Sequence, residues 1–259
     1  MSPETFLRSV NLTRYIAPLR EGGSLPAIAE ASDGFLYVVK FRGAGQGPKS
    51  LIAELIGGEV ARAIGLKVPE IVFVTLDEAF GRTEPDEEIQ DLLKASIGLN
   101  LGLHYLSGAI TYDSVVARPD ALLASKIVWL DSLLMNVDRT ARNTNMLLWN
   151  KTIWLIDHGA SLYFHHAWSK GEVNGAKPFS HIKDHVLLSL ATKLEEADRL
   201  SKAFLTNKKI HEIVSQVPDE WIMDTPEFSK QAQRDAYAKF FISRIAQSDL
   251  FVNEANGAR

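Results

Sequence analysis

Short apolar runs broken by turn residues fill the first hundred positions of the chain, and longer helical patterns take over after them. Residues 26–31, PAIAEA, and 35–41, FLYVVKF, read as two strands joined across Ser32, Asp33 and Gly34, because glycine tolerates the positive φ of a tight turn. Upstream, RYIAPL and the bend Gly22-Gly23-Ser24 make this a three-strand start. Residues 49–64 carry apolar side chains at helical spacing and stop at Gly65, and IVFVTL follows Pro69 as another strand. The stretch 77–96 is acidic and broken by Gly and Pro, which predicts a surface insertion with a short helix. LGLHYLSGAI, residues 101–110, predicts a last strand leading into a connector.

Residues 119–136 begin with Pro119 at a helix start. Leu123, Ile127, Leu130 and Leu134 line one face, and Leu122, Val128, Leu133 and Met135 lie elsewhere on it, so this helix is apolar nearly all round and belongs in a core. From residue 182 onward three amphipathic segments are expected, the last with Thr225 as N-cap and Pro226 in its first turn. The pattern changes near residues 107–118, which divides the chain into an N-terminal part, 1–110, and a C-terminal part, 111–259.

Composition narrows the classes. At 259 residues, 46% hydrophobic and 23% charged, the chain suits an ordinary globular protein with a large core. A formal charge of −4 gives no basic field for nucleic acid or an anionic membrane, so neither is an expected partner. No run approaches the 18 or so apolar residues of a spanning helix, there is no signal-peptide pattern and there is no cysteine. A cytoplasmic address is the expectation. His165-His166 and His181 with His185 raise the idea of zinc, but no Glu follows His181 and a metal is not expected there.

The segment 136–159, NVDRTARNTNMLLWNKTIWLIDHG, is where chemistry is legible. The core helix delivers a polar loop, MLLW and TIWLI form a hairpin across Asn150-Lys151, and Asp157-His158-Gly159 follows directly. An Asp, an Asn five positions later and an Asp-x-Gly after a hairpin is the order in which protein kinases place their substrate-facing carboxylate and their two metal ligands. On that order Asp138 faces the acceptor hydroxyl, and Asn143 and Asp157 take Mg²⁺ beside ATP. The other reading is a polar turn whose Asp and Asn bond their own backbone. Lys40 interrupts an apolar strand, where it needs negative charge: a nucleotide phosphate and a helix glutamate, with Glu54 and Glu59 both available.

Lys40 in YVVKF, then LIAELIGGEVARAIGLKVPE, NVDRTARNTNMLLW and WLIDHGASL, in this order over most of residues 20–165, resemble the HipA-like kinase family. The resemblance implies an α+β, bilobal protein-kinase-like fold with an N-terminal antiparallel sheet plus helix and a mainly helical C-terminal lobe. It also implies Mg-ATP as cofactor and phosphorylation of a serine or threonine on a protein. It selects Glu54 as the partner of Lys40, and places the connector residues Tyr105 and Leu106 near adenine. Gly22, Gly23 and Ser24 are too short for the usual glycine-rich loop, yet their amides suit a phosphate. Thr140 stands where such kinases carry Lys or His, and Arg139 or Arg142 is a candidate replacement for that phosphate contact. Some family members are toxins of toxin–antitoxin modules, but those are longer than this chain, which argues against that role. Other readings are a nucleotide-binding regulatory pseudokinase, a small-molecule or lipid kinase, and a helical interaction protein built on residues 182–250.

Overall fold

The computed structural model describes residues 7–19, 25–80, 85–167, 174–226 and 228–259. Five strands, β1 (Ser9–Pro18), β2 (Ala27–Ala31), β3 (Leu36–Lys40), β4 (Ile71–Leu76) and β5 (Gly98–His104), close into a barrel in the order β1-β2-β3-β5-β4. The β2–β3 turn forms where Gly34 takes φ +81° and its amide donates to Ala31 O at 2.9 Å. An all-antiparallel sheet was the expectation; instead β1 pairs in parallel with β4, Ser9 opposite Phe73 through Asn11 opposite Thr75. The reason is arithmetic: strand directions cannot alternate all the way round a ring of five.

Helix α1 (Pro48–Ala63) starts with proline in its first turn, and Gly65, at φ +82°, follows its end. Two glycines set its position. A Cβ on Gly58 would stand 2.4 Å from Ile71 Cδ1 on β4, and one on Gly57 would stand 2.7 Å from His158 Cβ. The helix is thus sandwiched at close approach between the barrel and the 157–159 segment, with Leu51 to Ile56 buried. The acidic insertion carries α2 (Glu87–Ala95), capped by Asp86, which accepts from the amides of Glu88 and Ile89.

The core helix α3 (Ala121–Leu134) is buried on every side over Ile127–Leu134. Asp120 is its N-cap, accepting from Leu123 N at 2.8 Å, so Pro119 lies just before the cap and not within the first turn. Its carbonyl end meets a cation from far along the chain: buried Arg244 donates to Ser132 O and Leu133 O, and also to Gly175 O and Lys177 O. Strands β6 (Ile110–Thr111), β7 (Met146–Trp149) and β8 (Thr152–Leu155) form a second sheet. Asn150 and Lys151, at φ +48° and +60°, make the β7–β8 turn whose twist matches the strands.

Among the described residues four α-helices follow where three amphipathic segments were expected: α4 (Leu194–Phe204), α5 (Asn207–Ser215), α6 (Lys230–Ala246) and α7 (Asp249–Ala258). Thr225 does not open a helix. Its hydroxyl accepts from Phe228 N at 3.1 Å in a local turn, and Ser229 caps α6 by accepting from Ala232 N at 3.2 Å. Ser229 has the extended ψ of 159° that an N-cap requires. Two hydrophobic clusters result, one inside the barrel around Val39, Val72 and Val74, the other joining α1, α3 and the later helices. Among the described residues no helix is long and apolar enough to cross a membrane.

Candidate active site

Lys40 ends β3 and reaches under α1. Its Nζ donates to Glu54 Oε2 at 2.7 Å and to Asp157 Oδ1 at 2.6 Å. The side chain of Glu54 is fully buried, that of Lys40 is 14% exposed and that of Asp157 is 47% exposed, so the triad runs from the core to a solvent-facing carboxylate. Burial opposes charge on Lys40 and Glu54, but their mutual attraction, reinforced for Lys40 by Asp157, outweighs it: the lysine pKa is raised and that of Glu54 is lowered to about 2. Glu59 is not the partner. It stands 3.6 Å from Arg62 one turn along the same helix, and burial pushes its carboxyl up.

Asp157 sits at φ +57°, a left-handed conformation at the end of β8 that turns its side chain back toward Lys40. The next residue, His158, is buried against α1. Its Nδ1 lies 3.7 Å from Glu54 Oε1, too far for a hydrogen bond, and neither ring nitrogen has a partner among the described residues. What seats the ring is the missing side chain of Gly57. Gly57→Ala is therefore expected to cost about 1–3 kcal/mol by overpacking and to shift His158 and Asp157 together. Thermal unfolding and Mg-dependent nucleotide titration of the variant check both effects, and native values in both would show that the seat yields freely.

The polar loop builds a second group. Asp138 Oδ2 accepts from Asn143 Nδ2 at 2.8 Å and from Asn145 Nδ2 at 3.1 Å, and Asp138 N donates to Asn136 Oδ1 at 3.1 Å. Thr140 N donates to Asp138 O and Asn143 O, which curls the loop so that the two side chains face each other. Asn145 was not anticipated. Its signal is its left-handed backbone at φ +47°, which asparagine tolerates and a sequence does not display.

Arg139 does not replace the missing phosphate contact at Thr140. It is 1% exposed and points into the protein, where Nε donates to Asp131 Oδ2 at 2.6 Å and Nη1 donates to the carbonyls of Asn145 and, at 3.4 Å, Ile156. Arg142 remains exposed. Asp131 also accepts from Asn136 Nδ2 at 3.0 Å and lies 2.9 Å from His185 Nε2. Burial acts against the Asp131 carboxylate, but Arg139 and His185 prevail and hold its pKa far down.

These contacts pin one group beside the other. Ile156 N donates to Asn145 O at 3.0 Å, so the residue before Asp157 is tied to the end of the loop that carries Asp138 and Asn143. No hydrogen bond among the described residues joins Asp157 to Asp138 or Asn143, so the three oxygen-bearing groups form two neighbouring clusters. Asp138 Oδ1, Asn143 Oδ1 and Asp157 Oδ2 accept no hydrogen bond from a described residue. Among the described residues no group of three or more His, Cys, Asp or Glu is placed to hold a metal. A hard cation that keeps waters and shares phosphate oxygens, as Mg²⁺ does, fits this sparse all-oxygen set; a thiolate- or imidazole-seeking metal does not.

Tyr105 and Leu106 lie where β5 leaves the barrel, Tyr105 half-buried with its amide on Leu36 O at 2.8 Å, Leu106 buried. Gly22, Gly23 and Ser24 lie outside the described residues. His165 and His166 face each other at 3.2 Å with His165 Nδ1 on Tyr237 Oη at 3.0 Å, and His185 is committed to Asp131.

Two comparisons bear on this arrangement. The sequence matches the HipA-like kinase family over residues 12–253. Among solved structures the fold is similar to that of the Helicobacter pylori proinflammatory kinase CtkA, with a TM-score of 0.57 at 14% identity over 96% of this chain and 98% of that one. No curated protein sequence matches it.

Proposed function

Because the chain belongs to the HipA-like kinase family, we propose that it is an ATP- and Mg²⁺-dependent kinase that phosphorylates a serine or threonine of a protein. The observation that carries this reading is the lysine ammonium held at 2.7 Å by a fully buried glutamate and at 2.6 Å by an exposed aspartate, with an Asp–Asn pair on the adjoining loop.

On this reading each group has one task. Lys40, oriented by Glu54, binds the nucleotide phosphates, with Tyr105 and Leu106 beside the adenine. Asp157 and Asn143 would hold Mg²⁺ with their carboxylate and amide oxygens, and the ion, when bound, would neutralise charge on the transferring phosphoryl group. Asp138, positioned by two amide donors, orients the acceptor hydroxyl and takes its proton. The hydroxyl oxygen bonds to the γ-phosphorus, the bond from that phosphorus to the β–γ bridging oxygen breaks, and ADP leaves with the electron pair. The amides on Asp138 Oδ2 fix which oxygen stays available: the other one.

Calorimetric titration with ATP, with and without Mg²⁺, on the native chain and on Asp157→Asn tests the nucleotide site. Mg-dependent binding in the native chain that weakens at least tenfold in the variant is expected. A folded native chain that binds no ATP would refute the reading. Labelled phosphate that enters metabolite or lipid fractions and not protein would keep the kinase and replace the acceptor.

A further inference from the structure

We infer that His185, forty-seven residues beyond Asp138 in sequence order by their numbers, is a positioning residue of the catalytic loop; this rests on the reading of Asp138 given above. Leu187 N donates to His185 Nδ1 at 3.0 Å, so Nδ1 is the unprotonated nitrogen and Nε2 carries the hydrogen that it donates to Asp131 Oδ2 at 2.9 Å. The neutral ring suffices for this bond.

Asp131 then distributes the constraint. Its Oδ2 also takes Arg139 Nε, its Oδ1 takes Asn136 Nδ2, and Asn136 Oδ1 takes the backbone amide of Asp138. His185, Asp131, Asn136 and Arg139 are all buried. A separate pair of backbone contacts reinforces the side chains: Thr140 bridges to His185, and Val186 N donates to Arg139 O at 3.2 Å. Among the described residues His185 is the one side-chain partner of Asp131 from outside 131–145. It ties to the core, from outside the loop, a carboxylate whose other side-chain partners, Asn136 and Arg139, belong to the loop itself.

Displacement of a reacting group by about 1 Å costs on the order of 10²-fold in rate. His185→Leu removes the donor and keeps an apolar filler, while His185→Gln keeps a donor within reach of Asp131. Turnover, ATP affinity and stoichiometry, and hydrogen exchange over residues 136–145 are measured for the native chain and both variants. The expected result is kcat down by roughly 10–100-fold in His185→Leu, ATP affinity and stoichiometry within twofold, faster exchange across 136–145, and substantial return of both rate and protection in His185→Gln. Native exchange in His185→Leu would overturn the inference, as would a rate loss that follows the fraction of protein able to bind ATP. If the native chain transfers no phosphoryl group, the kinase reading fails on its own, and the exchange comparison still decides whether His185 holds the loop.

Discussion

Asp138→Asn is expected to lower phosphoryl transfer by roughly 10²-fold or more while leaving Mg-dependent ATP affinity within about twofold. The substitution keeps a carbonyl oxygen able to accept from Asn143 and Asn145, which lie 2.8 and 3.1 Å from Asp138 Oδ2, so the loop has no reason to unfold. On the proposed reading, what it removes is the basic oxygen that receives the proton. Single-turnover kinetics separate the two effects: the chemical step slows, the binding step does not. A variant that turns over at the native rate would remove Asp138 from the mechanism and return the loop to a polar turn. A variant that loses ATP affinity as well would mean that the residue contributes to the nucleotide site rather than to the acceptor.

Lys40→Met should have the largest effect on stability. Glu54 is fully buried, and its charge is tolerated because the ammonium lies 2.7 Å away. Taking one partner from a buried ion pair costs roughly 3–5 kcal/mol, since the remaining carboxylate stays out of water and loses its closest cation. Glu54 has a folded pKa of about 2, below its ordinary value of 4.5, so its contribution to stability is complete above that ordinary value and fades as pH falls toward 2. Without Lys40, burial dominates and raises the same pKa, so the slope changes sign: in the variant, acid relieves the strain and stability falls as the carboxyl ionises. Denaturant titrations between pH 3 and 7 read this directly. Restoring stability by adding Glu54→Leu, without restoring nucleotide binding, would separate the structural duty of the pair from its binding duty. Parallel pH profiles in the native chain and Lys40→Met would show that the pair is not coupled as described.

The local elements were legible because their signals are local. The β2–β3 turn needed a residue tolerant of positive φ and shows Gly34; the β7–β8 hairpin is two apolar runs around Asn150-Lys151; α1 ends where Gly65 stands. That Lys40 meets a helix carboxylate was readable for the same reason, since a lysine in an apolar strand calls for one and the helix that follows offers two; the choice of Glu54 over Glu59 came from the family resemblance. Other features depend on partners distant in sequence. Arg139 looks like its solvent-facing neighbour Arg142 until Asp131 and the carbonyls of Asn145 and Ile156 are seen around it. His185 was legible only as half of a zinc-like spacing with His181, because its role is defined by a carboxylate on α3. The cap of α6 was misplaced by four residues for a subtler reason: Thr225 and Ser229 are equally good capping types, and the turn at 225–228 uses up the first. Closure of the strands into a ring with one parallel pair follows from counting strands in space, which no periodicity records.

That parallel pair has a consequence for how the chain is made. Ser9–Asn11 cannot find Phe73–Thr75 until α1 has been synthesised, and the sheet between them is not continuous until β5 at Gly98–His104 has emerged. At about 5–20 residues per second, the outer edge of β1 waits on the order of several seconds for its neighbour. An uncovered strand edge recruits other chains. Farther along, β1 is held from its other side by β2, where Thr13 Oγ1 donates to Glu30 O at 3.1 Å and Arg14 Nη2 to Glu30 Oε2 at 2.6 Å, so the waiting edge is confined to Ser9–Asn11. Three residues offer another nascent chain only a short ladder to join, which is the property that blunts a strand edge.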